Sequence, residues 1–74
     1  MEGLTVNRNV HYVTEEGVHL AAFVVKVLSK EDGIVNLTVL IDHAEYTGDL
    51  MFAATSVNHS DEHLPNTWHF IERA

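Results

Sequence analysis

The tripeptides Glu15-Glu16-Gly17 and Glu31-Asp32-Gly33 constrain this chain more than any other feature. Each supplies two residues suited to a type I turn, then a glycine where the backbone needs positive φ. That is the composition of a three-residue hairpin loop with a G1 bulge. The runs beside them, "RNVHYVT", "VHLAAFVVKVLSK" and "IVNLTVLID", are rich in β-branched and aromatic residues. Such runs between turn signals read as paired strands. Five strands are expected, over residues 8–14, 18–30, 34–42, 51–57 and 67–72. No segment of helical length carries a 3.6-residue apolar period.

The two turns impose different parities on the long second strand. Thr14 opposite Val18 sets Tyr12 against Leu20 and Val10 against Ala22, which turns even positions inward. Lys30 opposite Ile34 sets Val27 against Leu37, Val25 against Val39 and Phe23 against Ile41, which turns odd positions inward. The strand is therefore expected to change faces near residues 21–23, through a bulge or a coil, and to serve two sheets. Small barrels close in this way. The expected fold is all-β, a small five-stranded SH3-like barrel, with an OB-like partly open barrel as the alternative. Residues 43–50 leave little room for the helix that OB barrels often insert there. The chain is expected to form one domain over residues 1–74, with residues 1–7 as a flexible or edge-pairing arm.

A chain of 74 residues sits near the lower limit for an independent core. Its stability is expected at roughly 3–5 kcal/mol, so docking or self-association would supplement it. Eleven acidic residues stand against four Lys and Arg, for a net charge of −7. Nucleic-acid binders carry the opposite sign, because phosphate neutralisation supplies much of their affinity. Arg8, Lys26, Lys30 and Arg73 form no basic tract, so duplex nucleic acid and anionic membranes are not expected partners. One pocket can oppose the net charge locally, which keeps an isolated nucleotide open as a ligand. Cysteine is absent, which excludes disulfides and thiolate metal sites. The first residues lack a basic region followed by a long apolar one, so secretion is not expected. The sequons at Asn36 and Asn58 then read as strand composition. The apolar run at residues 20–25 is too short to span a bilayer.

Catalytic signatures are missing. There is no cysteine nucleophile, no glycine-rich phosphate loop and no serine in a G-x-S-x-G context. The adjacent Asp42 and His43 are no template by themselves. A non-enzymatic protein without a cofactor is expected. Six histidines are many for this length. His59 and His63, four apart around Asp61 and Glu62, are the candidate metal ligands, and His43 or His19 would have to converge as a third. Loop-forming neighbours and Pro65 favour a solvated loop there, so no metal is expected. Protonating all six histidines would remove six of the seven net negative charges.

In "NTWHF" (66–70), Trp68 and Phe70 share one face of an alternating strand, and His69 shares the other with Ile71. Two readings follow. The rings anchor a terminal strand in the core or at a protomer interface. Alternatively Trp68, Phe70, Tyr46 and Tyr12 form an aromatic binding face, with Arg8, Lys26 and His69 as polar partners.

The motifs "RNVHYV", "HLAAFVVKV", "EDGIVNLTVL", "ATSV" and "NTWHF" follow in order over residues 8–72. Together they resemble a family of small tailed-bacteriophage proteins with a "VHYV" start, a "DG-VNL-V" hairpin and a closing "GTWHWPE". Asn66 stands where that family has glycine, Phe70 where it has a second tryptophan, and Ile71 where it has proline. The "D-G-x-N-D" loop usual after the third strand is replaced by "DHAEYTGDL". The resemblance implies a phage or prophage origin and brings no activity or site residues. The expected function is protein–protein binding, most concretely as a virion-associated module such as a capsid decoration or another head or tail component. The alternatives are a binder of nucleotide signals that counters host defence, and an inhibitor of a host protein. The expected location is the virion or the host cytoplasm.

Overall fold

The computed structural model describes residues 1–41 and 51–71. Five strands appear in order: β1 (Asn9–Val13), β2 (His19–Ser29), β3 (Ile34–Leu40), β4 (Met51–His59) and β5 (Thr67–Phe70). No helix long and apolar enough to cross a membrane occurs among the described residues.

The first hairpin has the expected geometry. Thr14 N–H donates to Val18 carbonyl at 2.8 Å and Gly17 N–H to Thr14 carbonyl at 2.9 Å. Gly17 has φ 85, a region that costs a glycine nothing. Val10 pairs with Ala22 and Tyr12 with Leu20, as the turn chemistry dictates.

The second hairpin differs from its expected register. Ser29, not Lys30, pairs with Ile34, and Gly33 N–H closes the loop onto Ser29 carbonyl at 2.8 Å. Irregularities between Val24 and Lys26 and between Val27 and Ser29 then shift the ladder, so that Val24 faces Leu37 and Ala22 faces Val39. Val25 is 43% exposed, whereas Val24 and Ala22 are buried. The change of face therefore lies at Val24–Lys26 and not at residues 21–23. The cause is the pairing on the other side of β2. Val24 N–H donates to Arg8 carbonyl at 3.0 Å, and Val24 carbonyl accepts from Asn7 N–H at 2.7 Å. The β1 side thus holds even positions inward as far as Val24, and only beyond it is the strand able to switch.

Five strands in a ring cannot all be antiparallel to both neighbours. One pair must be parallel, and it is β4 with β5, through Asn58–Thr67 and His59–Trp68. Every other pair, including β1 with β5, is antiparallel, and the barrel closes in the order β1-β2-β3-β4-β5. This is the small SH3-like barrel. A bulge bends β4 toward that seam: Leu37 faces Ala54 but Val35 faces Val57. At the extra residue Ser56 has φ 51, and its N–H is satisfied by Asn36 Oδ1 at 2.9 Å.

The core gathers one face of every strand: Val10, Tyr12, Ala22, Val24, Val35, Leu37, Val39, Val57 and Trp68, with Leu20, Val27, Ala54 and Phe70 packed around it. Leu4 joins them, 1% exposed. The first residues are thus a docked arm whose leucine plugs the barrel, and Asn7 extends the β1–β2 ladder. Between β4 and β5 the chain crosses over residues 60–66. Ser60 N–H donates to Trp68 carbonyl at 2.9 Å, and Asn66 N–H donates to Val13 carbonyl at 2.7 Å. Asn66 has φ 62, a conformation asparagine tolerates and glycine prefers.

Candidate functional site

Trp68 settles the first question posed by the aromatic cluster. It is fully buried, and its indole Nε1–H donates to Gly33 carbonyl at 2.7 Å. Phe70 meets it edge-to-face at 5.0 Å between centroids. Tyr12 is also buried, donates its hydroxyl to Asn66 Oδ1 at 3.1 Å and meets Phe52 edge-to-face at 5.9 Å. Burial, then the Glu15 charge, raises the Tyr12 pKa above the usual phenol value. A base or peptide could reach neither ring, so the expected aromatic face does not form around Trp68 and Tyr12.

The other members of that set are dispersed. Phe70 is half-buried, with the Arg8 guanidinium 5.2 Å from its ring centroid. Lys26 is exposed on β2, opposite Asn36. His69 is buried on the opposite side of β5 from Trp68. Tyr46 and His43 lie outside the described residues. Arg8 also borders a shallow open groove of about 450 Å³, with Thr5, Val6, Asn7, Asn9 and Ile71.

Two surfaces remain. The first is the outer face of β2–β3–β4. Phe23, Thr38 and Ala53 form one cross-strand row, and Leu40 and Met51 form the next. These residues alternate with the buried Ala22, Val24, Leu37 and Val39, and so point away from the core. Leu40 is 39% and Met51 54% exposed. None of the five is charged in a chain of net charge −7; Lys26 stands at the far end. Among the described residues β4 meets β5 only at Asn58 and His59, so the Met51 end of β4 has no β5 partner beside it.

The second surface is the outer face of β1–β5, and it collects histidines. His11 lies directly across from His69 in the β1–β5 ladder, with ring centroids 5.4 Å apart. His19, at the start of β2, brings its ring to 4.9 Å from His69. One ligand atom from each of His11, His19 and His69 lies within 4.8 Å of the other two. Val13 and His69 are both buried, and the crossing segment reaches Val13 through the Asn66 N–H. Its His63 stacks on His69, 3.7 Å between centroids and 21° between planes.

The candidate metal pair, His59 and His63, is taken apart by β5. His59 packs on Trp68 at 4.7 Å and lies 3.4 Å from Asp61. His63 packs on His69, the next residue along. Adjacent strand residues face opposite sides, so the two imidazoles sit on opposite sides of the strand. Of the proposed third ligands, His19 does converge, but on His11 and His69. No family model, curated protein or solved structure matches the chain.

Proposed function

We propose that this protein works by binding another protein, without chemistry of its own, through the outer face of β2–β3–β4. The observation that carries the reading is the uncharged patch of Phe23, Thr38, Leu40, Met51 and Ala53 on an otherwise strongly acidic chain. Charge repels indiscriminate contacts, while a flat apolar patch with a strand edge beside it accepts a partner strand or sheet. With the resemblance to small tailed-phage proteins, the concrete form is a virion-associated component, a capsid decoration or other head or tail part. Mass spectrometry of purified virions should detect it, and its absence from them would end that form of the proposal. Leu40→Glu and Met51→Lys should abolish incorporation while leaving the fold intact. Incorporation unchanged in both would remove this face from consideration.

A second reading rests on the groove beside Arg8. There a nucleotide signal would place its phosphates against the guanidinium. Calorimetric titration with cyclic nucleotides and ADP-ribose derivatives tests it, and no heat across the panel ends it.

A further inference from the structure

We propose that His11, His19 and His69 form a binding site for one late first-row divalent metal ion, with zinc as the probe ion. Three observations carry it. The ligand atoms of the three residues already lie within 4.8 Å of one another. A tetrahedral ion with metal–nitrogen bonds of about 2.0–2.1 Å needs nitrogens about 3.4 Å apart, so a rotamer adjustment of about 1–1.5 Å closes the set. Two of the ligands sit on rigid framework, His11 and His69, fixed opposite each other by the β1–β5 ladder. The third, His19, is exposed and is the side chain that swings in.

The donor set fixes the class of ion. Three imidazoles with no thiolate suit zinc, cobalt, nickel and copper, and not calcium or magnesium, which take oxygen ligands. The net charge of −7 favours acceptance of a dication. His63 is excluded as a ligand in this arrangement. Its ring is nearly parallel to His69 and 3.7 Å away, so an ion in the plane of the His69 ring lies well out of the His63 plane. His63 forms a wall of the site, and the fourth coordination position is left to water. The site is independent of the apolar face and does not rest on it.

The test uses the full chain stripped of metal. Equilibrium dialysis against zinc should give one ion per chain, and cobalt should give the visible bands of a tetrahedral nitrogen-rich site. His19→Ala and His11→Gln should each weaken zinc by at least about tenfold. His59→Ala, on the other side of β5, should stay within about threefold of the parent. Because His19 is exposed, its variant should keep the parent's amide NMR fingerprint, which separates loss of a ligand from loss of fold. No saturable zinc binding by the parent chain would overturn the proposal. So would affinity that survives His19→Ala but is lost in His59→Ala, which would place the ion at the His59–Asp61 pair.

Discussion

Trp68 and Gly33 act as one unit. The indole fills the core while its N–H satisfies a carbonyl in the second hairpin loop, so the last strand and a distant turn are tied through one buried hydrogen bond. Trp68→Phe leaves that carbonyl without its donor and opens a void. Urea denaturation should show a loss of roughly 2–4 kcal/mol. Gly33→Ala attacks the same unit from the other side. Its φ is 74, and an added Cβ would lie 2.9 Å from His59 Cβ, which cannot rotate away, and 2.9 Å from the more pliable Met1 Cε. The left-handed penalty and the crowding together should cost roughly 2–4 kcal/mol by the same measurement. Gly17 meets no atom within 4 Å of such a Cβ, so its requirement is conformational alone. Tyr12 adds a pH dependence. Its pKa is raised in the fold by burial, then by Glu15, so the fold disfavours the phenolate. The resulting contribution to stability is complete below pH about 10 and is lost as pH climbs through the folded value. Denaturation curves from neutral pH upward should therefore fall less steeply in Tyr12→Phe than in the parent chain.

At the scale of the element, the bulge in β4 depends on a side chain from β3. Asn36 Oδ1 accepts from Ser56 N–H where the ladder skips a pairing. Asn36→Ala should cost about 1–2 kcal/mol, and hydrogen exchange at the Ser56 amide should quicken far more than at Leu37. How legible each strand was follows from its pattern. β3 alternates cleanly, with Val35, Leu37 and Val39 inward and Asn36 and Thr38 between them, and its faces could be read directly. In β2 the run Phe23-Val24-Val25 is apolar at both parities. Alternation alone cannot tell Val24 from Val25 there, and the turn at Gly33 was one residue longer than its composition suggested. The ladder with β1 decides, and that ladder involves Asn7 and Arg8, which carry no strand signal. The histidine cluster was hidden for a related reason. His11 and His69 meet only because the first and last strands pair, and nothing local to either reports that. The spacing of His59 and His63 pointed to a pair, and the alternation of Trp68 and His69 separates them. The direction of Trp68, left open by the motif, follows from closure of the barrel.

At the scale of the molecule, the odd strand count places one parallel seam in the wall, and it is short: two residue pairs join β4 to β5, against three joining β5 to β1. β5 is therefore held mainly by β1, and it reaches β1 by the crossing over residues 60–66. A second molecule offers an identical β1 edge once its own β5 is displaced. Deleting Asp61 and Glu62 should leave too few residues for the two reversals that bring Thr67 parallel beside Asn58, and so disfavour closure within one chain. The barrel would then close reciprocally between two chains, each donating its last strand to the other. Light scattering should report a dimer of parent-like circular dichroism, and a folded monomer would refute the idea. The geometry that lets five strands close a barrel thus also gives this chain a built-in route to strand exchange, governed by a linker of a few residues.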